Sequence, residues 1–402
     1  MQANSDYTLL SPLSVDWDAF RDLPASKPFA DETIAYLNAL SSSLLADSRS
    51  RFYPDVVTFA FFCRKANLVK LRDLYKKDDE VRLGRGIAFH IAPGNVPVNF
   101  GYTLVAGMLA GNNNIVRVSS KEYPQVDLIV EHLRKLAQDE VWTEFSQRNA
   151  LVRYDHQSDA TSFFSSIADA RVIWGGNETI KKVRESALPP RSFDICFAER
   201  YSICAINPGA VMAADEAEIR SLAERFYNDT YLFDQNACSA PHIVFWKNAG
   251  NLDQAKDKFW SAVHEITSQK YNLQPIQGVD KLTALYRESI ETGASEEKMP
   301  DNYVVRTELH DLPKNIDDFR CTGGFFSECT INSLDDIAPI ITRKYQTLAY
   351  YGFEKSELDA FVKNNRLSGI DRIVPIGRTT DFSLTWDGYN LIEAMSRIVD
   401  VI

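Results

Sequence analysis

The chain has 402 residues, of which 45% are hydrophobic and 25% charged, and its formal net charge is -11. That length and composition suit two packed globular domains and exclude a disordered polyampholyte. The acidic balance, with no Lys/Arg-rich block, excludes a duplex nucleic-acid binder, whose phosphate contacts need a basic face.

The opening MQANSDYTLLSPLSVDWDAF has neither the basic start nor the apolar core of a secretion signal. The apolar run VTFAFFC (57–63) is too short for a membrane span and is followed at once by Arg64 and Lys65. The six cysteines, Cys63, Cys196, Cys204, Cys238, Cys321 and Cys329, form no CxxC pair and no Cys/His cluster. They read as free thiols, so the expectation is a cytoplasmic protein with no metal site.

In chain order, Phe29, Ile34, Leu37, Leu40, Leu44 and Leu45 recur at helical spacing. A second stripe runs through Phe61, Phe62, Leu68 and Leu71, so the first 80 residues are expected to be helical. GIAFHIA (86–92) then reads as a buried strand, Pro93, Gly94 and Asn95 as a turn, and 97–110 as a helix whose left-handed end is Gly111. IVRV (115–118) is a further strand, followed by a helix that Pro124 opens. LVRY (151–154), a helix over 158–168, RVIW (171–174) and a helix near Asn177 continue the alternation. Such strand, helix, strand repetition predicts an α/β fold with parallel sheets.

ICAI (203–206) is one more strand, and a domain boundary is placed near residue 207, at NPGA. A long helix over 214–233 leads to the loop DQNACS. A second alternating series follows through HIVFW (242–246), VVRTEL (304–309) and GFFSECTI (324–331), ending in a helix near 387–400. Residues 269–278 and 291–302 read as mobile linkers.

Three segments can carry chemistry. In RVIWGGNETIKK a strand runs into Gly175 and Gly176 and then a helix, whose opening N–H groups can face a phosphate or support a ribose; a tight turn without a ligand fits the spacing equally well. In DQNACSAPH (234–242), Cys238 lies between small residues that leave its sulfur approachable, although most intracellular cysteines are inert core residues. His242 reads as the first residue of a strand rather than as the base of Cys238. In HIAPGNVPVNF, the Asn95 amide can donate to a developing oxyanion or simply shape the turn. The cluster Lys181, Lys182 and Arg184 fits a solvated helix face better than an anion site.

Taken in order, these segments resemble the aldehyde dehydrogenase superfamily, and more closely its LuxC-type fatty acyl reductases, over roughly residues 80–390. APGNVP is similar to that family's Pro-x-Asn-x-Pro turn, RVSS (117–120) to its ribose-binding segment, IWGGNETI to its glycine turn and QNACS to its cysteine loop. RIVPIGRTTDFSLTWDGYNL (372–391) resembles the LuxC-type terminus.

The resemblance implies an aldehyde dehydrogenase-like fold: a helical segment at 1–80 packed on a dinucleotide-binding domain at 81–207, and a catalytic domain at 208–375 with the cysteine at the interface. A closing segment, 376–402, would return to the cofactor domain or a subunit interface. It implies Cys238 as nucleophile and Asn95 as oxyanion donor, with Arg117, Ser119, Ser120, Gly175 and Gly176 around the cofactor.

Cys196 stands near the position of the glutamate that activates water in hydrolytic relatives, which favours acyl exchange with a thiol. Ser120 replaces the acidic residue of NAD-preferring relatives, and Arg117 and Lys121 lie close in sequence. The expectation is therefore NADPH, with NADH left open. The region near 319–326 should correspond to the nicotinamide-ribose contact.

The implied activity is reduction of an acyl thioester to the aldehyde, the donor being acyl-CoA or an acylated partner synthetase or transferase. A hydrolytic NAD-dependent aldehyde dehydrogenase and a non-catalytic acyl-binding subunit are the alternatives. Homo-oligomerisation, with the terminal helix as a pairing element, is left open.

Overall fold

The computed structural model describes residues 7–401 apart from 76, 78, 156, 157, 298 and 299. The chain divides into two units, Met1–Ala198 together with Ser383–Ile402, and Glu199–Phe382.

The first unit begins with strand β1 (Thr8–Ser11) and helices α1 (Trp17–Arg21), α2 (Asp31–Ala46), α3 (Pro54–Phe62) and α4 (Lys65–Tyr75). Strands β2 (Arg82–Gly84) and β3 (Ile87–Ile91), helix α5 (Asn99–Leu109) and strand β4 (Asn113–Arg117) follow, then α6 (Pro124–Gln138), α7 (Thr143–Ser146), β5 (Asn149–Arg153), α8 (Ala160–Ser166), β6 (Ala170–Trp174), α9 (Asn177–Arg184) and β7 (Phe193–Phe197). The sheet order is β1-β5-β4-β3-β6-β7, with β1 antiparallel to β5 and all other pairs parallel.

The chain winds outward from β3 through β4 and β5, then returns to add β6 and β7 on the other side of β3. The direction of winding therefore reverses between β3 and β6. In open parallel sheets this reversal leaves a crevice beyond the C-terminal strand ends, where ligands bind. All five residues of β3, β4 and β6 are buried, as expected for strands covered on both faces.

The second unit holds β8 (Tyr201–Ile206), α10 (Pro208–Ala213), α11 (Glu216–Thr230), β9 (Pro241–Lys247), α12 (Leu252–Lys270), α13 (Pro275–Thr292), β10 (Ser295–Glu297), β11 (Val305–Leu309), β12 (Phe325–Ile331), β13 (Tyr345–Tyr351), α14 (Lys355–Asn365) and β14 (Arg372–Pro375). Its seven strands run β10-β11-β12-β9-β8-β13-β14, parallel except for β10 against β11. The two-residue period of β8 sends Ile203 and Ala205 into one core with Ile243 and Phe245. Cys204 and Ile206 enter the opposite core with Val244 and Trp246.

Several expectations need correction. The first 80 residues are not wholly helical, because Thr8–Ser11 extends the sheet as an antiparallel edge on β5. The units part at Ala198/Glu199, upstream of NPGA, because the ICAI strand is hydrogen-bonded between β9 and β13 of the second unit. The expected terminal helix over 387–400 is replaced by a hairpin, Thr385–Trp386 against Tyr389–Asn390, a single helical turn Leu391–Ala394, and a strand Ser396–Ile398 antiparallel to β2. The cause is Asp387-Gly388, both at positive φ (47° and 76°), the turn chemistry that closes a two-residue hairpin between aromatic residues. The stretches read as linkers are partly built: Pro275 opens α13 with a capping box from Gln274, Gly293 ends it in the left-handed conformation, and β10 follows.

Among the described residues no helix is long and apolar enough to cross a membrane, and no group of three His, Cys, Asp or Glu is placed to hold a metal ion.

Candidate active site

The first unit supplies a cradle at the winding reversal. The turn after β3 carries Asn95 exposed, flanked by exposed Gly94 and half-buried Pro93. It is tied to the next strand end: Ala92 N–H donates to the Arg117 carbonyl at 3.1 Å, and the Tyr123 hydroxyl donates to the Gly94 carbonyl at 2.8 Å. A Cβ at Gly94 would lie 3.3 Å from Ser119 Oγ, so these two turns are immediate neighbours. Ser119 is half-buried and accepts from Lys121 N–H, while Ser120 and Lys121 are exposed.

Arg117 behaves differently from its sequence neighbours. Its guanidinium lies 5.2 Å from the Tyr154 ring centroid and donates to the Tyr154 carbonyl at 3.3 Å, with only 8% of the residue exposed. Burial lowers its pKa from the usual range. Arg117 is thus packed on Tyr154, while Lys121, four positions on, is exposed.

On the other side of β3, Gly175 and Gly176 form the turn between β6 and α9. Gly175 N–H donates to the Phe197 carbonyl at 3.1 Å. Gly176 is the N-cap of α9 and supplies no side chain to its first N–H groups. A Cβ at Gly176 would meet nothing within 4 Å. Space and free donors therefore coincide there. Trp174 stacks on Phe197 at 3.8 Å, and the terminal hairpin brings Trp386 to 6.5 Å from Trp174 and Tyr389 to 5.8 Å from Phe197. The closing WDGYN segment is thus a wall against the glycine turn.

Cys196 lies on β7, half-buried, accepting from Arg184 Nη2 at 3.3 Å, and burial raises its thiol pKa. His90, on β3, is a satisfied core histidine between Thr103 Oγ1 and Asn114 Oδ1, and burial drives its pKa down to about 4.

The second unit holds the cysteine loop. Residues 234–240 link the end of the α11 segment to β9, and Cys238 in this loop is half-buried. Both Asp234 and Gln235 adopt positive φ, 52° and 60°. Gln235 is fully buried and is the anchor of the loop. Its Nε2 donates to the carbonyls of Pro241 (2.9 Å) and Phe325 (3.0 Å), and its Oε1 accepts from Gly324 N–H (3.0 Å). The Ser202 hydroxyl donates to the Cys238 carbonyl at 2.6 Å and itself accepts from Thr347 N–H. The Tyr271 hydroxyl donates to Asp234 at 2.8 Å.

The loop therefore hangs from the starts of β8, β9 and β12, and its backbone position is fixed by buried polar groups. Such groups are costly to leave unmade.

The neighbouring segment 320–324 is fixed by the same set. Gly323 N–H donates to the Asp234 carbonyl, and Lys281, with no exposed surface, donates to the Gly323 carbonyl at 2.7 Å and to the Asn302 carbonyl. Burial lowers the Lys281 pKa to about 8. His242 is buried, donates from Nδ1 to the Cys321 carbonyl at 3.0 Å and stacks on Tyr201; burial holds its pKa well below the usual value. It is a neutral structural residue of β9.

Gln235 and Lys281 escaped the sequence reading. Gln235 carried a signal, since it sits inside the cysteine motif. Lys281 carried none, because only the fold brings α13 beneath the Gly323 turn.

The closing VPIGR segment also belongs to this unit. Asp229, buried on α11, accepts from Gly377 N–H and from Thr379 N–H at 3.0 Å, and burial raises its carboxyl to about 6. Arg372 caps the carbonyls of Arg378, Thr379 and Asp381. Gly377 is required by its φ of +97° and by Arg225, whose side chain a Cβ would strike at 2.6 Å.

Comparison with known proteins gives a consistent result. The family described as Acyl-CoA reductase (LuxC) matches residues 67–398. A long-chain acyl-protein thioester reductase of Vibrio harveyi is 23% identical over 74% of this chain and 60% of its own length. One of Aliivibrio fischeri is 23% identical over 56% of this chain and 44% of its own length. The alignments thus span less than two thirds of these curated relatives.

Among solved structures, an NAD-dependent benzaldehyde dehydrogenase from Corynebacterium glutamicum superposes with a TM-score of 0.60 at 14% identity, covering 99% of this chain and 95% of that one. Aldehyde dehydrogenase 21 from Physcomitrella patens gives 0.64 at 10% identity, covering 95% and 87%. With a dinucleotide-type sheet, a cysteine loop and the family match over most of its length, the chain belongs to the acyl-CoA reductase (LuxC) family and has the aldehyde dehydrogenase fold.

Proposed function

We propose that this protein reduces an acyl thioester to the aldehyde, using NADPH and a thioacyl intermediate on Cys238. The observation that carries the proposal is the anchoring of the Cys238 loop by fully buried Gln235, in a chain of a family of acyl-CoA reductases. A nicotinamide dinucleotide fits the first unit because the Gly176 position is open to 4 Å and the α9 N–H groups have no side-chain cap.

Glu178 lies exposed in the first turn of α9, so a phosphate seated directly on that terminus would meet a like charge. The turn is better suited to an uncharged portion of the cofactor. Ser119, Ser120 and Lys121 then face the adenosine end, with Lys121 pairing a 2′-phosphate and Arg117 supporting the wall through Tyr154.

Cys238 attacks the thioester carbonyl carbon as thiolate, a tetrahedral oxyanion forms, and the donor thiol leaves to give the thioacyl enzyme. Asn95 and the Cys238 N–H hold the oxyanion. A nicotinamide cofactor held by the first unit would supply the hydride that reduces the thioacyl carbon to a thiohemiacetal on Cys238. Collapse of that adduct breaks the carbon–sulfur bond, releases aldehyde and restores the cysteine. Near the position where hydrolytic relatives hold a glutamate base, β7 presents the Cys196 thiol beside Arg184. Deacylation by water then lacks its base, and exchange of the acyl group with a thiol is favoured. The donor is acyl-CoA or an acylated partner protein.

The test is loss of NADPH absorbance with a ladder of acyl-CoA chain lengths. Oxidation that depends on chain length and yields aldehyde supports the reading; acid formed from free aldehyde with NAD alone would replace it by the hydrolytic one. Asn95→Ala is expected to lower kcat by roughly 10²- to 10³-fold with NADPH affinity unchanged. An unaltered kcat would remove Asn95 from the oxyanion site.

Gly176→Val is expected to leave the melting temperature unchanged, since its Cβ has open space, while weakening NADPH binding roughly tenfold or more, about 1.4 kcal/mol. Titration calorimetry reads this directly, and undiminished affinity would place the cofactor away from that turn.

A further inference from the structure

Helix α13 is inverted with respect to an ordinary surface helix. Its buried residues are Lys281, Leu285 and Glu288, two of which are ionisable. Lys281 reaches the carbonyls of Gly323 and Asn302. Glu288 accepts from Ser327 Oγ at 2.6 Å and Thr307 Oγ1 at 2.7 Å, and burial raises its pKa. The helix is thus tethered to its unit largely by polar contacts.

The opposite face is apolar and open: Ile276 is 63% exposed, Val279 59%, Leu282 48%, Tyr286 60% and Ile290 84%. At 100° per residue these five fall within one stripe, opposite the buried side. Isolated exposed apolar residues need no explanation, but a contiguous stripe on a helix whose inward face is polar does.

The stripe is self-complementary. Ile276 and Ile290 lie equally far from Thr283, on either side of it, and Val279 and Tyr286 nearly so. Exposed Asp280 and Arg287 flank the stripe on the same edge, again at nearly equal distances from Thr283. A twofold axis through Thr283, perpendicular to the helix, sets Ile276 against the Ile290 of a second chain, Val279 against its Tyr286, and Asp280 against its Arg287. Arg287 donates from Nε to Glu291 at 3.3 Å, and its guanidinium lies 5.5 Å from the Phe319 ring centroid. This is the pattern of an isologous contact, in which one patch meets itself. The five side chains expose on the order of 600 Å² per chain, approaching the ~800 Å² per partner of a standard interface. A partner carrying only acidic or only basic charge would satisfy one of the two flanking charges and oppose the other.

We propose that the outer face of α13 is a self-association surface on which a second copy of this chain docks, with its α13 antiparallel about Thr283. The inner face of the same helix grips the Gly323 turn through Lys281, so pairing would buttress the segment bonded to the cysteine loop.

Sedimentation velocity on the full chain at micromolar concentration tests this. The wild type is expected to sediment as a dimer of the 45.5 kDa chain. Ile290→Glu and Tyr286→Glu should each raise the dimer dissociation constant about 100-fold with an unchanged circular dichroism spectrum, because both residues are exposed. Asp280→Arg alone and Arg287→Asp alone should weaken the dimer, and the double variant should restore it. A monomeric wild type, or an oligomer indifferent to Ile290→Glu, overturns the proposal and leaves this face to a different protein. Failure of the double charge reversal to restore association overturns the antiparallel pairing.

Discussion

Cys238→Ala is expected to abolish acyl-thioester reduction, lowering the rate by on the order of 10⁴-fold or more, as removal of a covalent nucleophile does. The other five thiols offer no substitute. Cys63, Cys204 and Cys329 are buried, and burial raises their pKa values. Cys196 and Cys321 are half-buried, and burial raises both of theirs as well. Cys238→Ser would leave a hydroxyl whose neighbour in sequence, His242, is committed to the Cys321 carbonyl with its pKa held well below the usual value by burial, so it should fare little better.

Intact-mass spectrometry after incubation with acyl-CoA in the absence of NADPH reads the chemistry one step earlier. The wild type should gain one acyl group, Cys196→Ala and Cys321→Ala should do the same, and Cys238→Ala should gain none. An acyl adduct persisting in Cys238→Ala would move the nucleophile elsewhere and remove the basis of the proposed mechanism.

What the sequence disclosed follows from how local each determinant is. The strands around Ile91, Val116 and Ile173 are short, mostly apolar runs bounded on one side by Pro93 and Gly94, Gly111 and Asn112, and Gly175 and Gly176, so their punctuation is written in adjacent residues. Asp387-Gly388 was equally local, yet the apolar residues after it mimic helical spacing, and the hairpin was read as a helix. The strand Thr8–Ser11 is short and gains its identity only by pairing with β5 far along the chain. At the site, motif order placed Cys238, Asn95 and the glycine turn on loops at strand ends. Arg117 looked like a ligand residue because sequence shows charge but not direction; the fold turns it onto Tyr154. Lys281 lies 43 positions after Cys238 in number, and its tie to the Gly323 turn exists only once α13 is packed.

Gln235→Leu tests whether the buried amide holds the Cys238 loop. Leucine matches glutamine roughly in size but leaves the Pro241 and Phe325 carbonyls and the Gly324 N–H without the partner they have now. At about 1–3 kcal/mol for each of the three buried groups left unpaired, the cost sums to roughly 3–9 kcal/mol, a large part of the ~5–15 kcal/mol that holds a typical domain folded. A fall in melting temperature on the order of 10 °C follows for the second unit.

Gln235→Glu is no rescue, since its carboxylate can accept from Gly324 but must face two carbonyl oxygens. Gln235→Gly relieves the positive φ yet keeps none of the three bonds, so it too should lose activity. The discriminating measurement is made below the melting transition of the Leu variant, where acylation of Cys238 should be slowed far more than NADPH affinity is changed, because the glycine turn belongs to the other unit. Equal loss of both would mean that the substitution unfolds the protein generally. Unchanged acylation with a normal melting temperature would show that the loop is held by Ser202 and Asp234 alone.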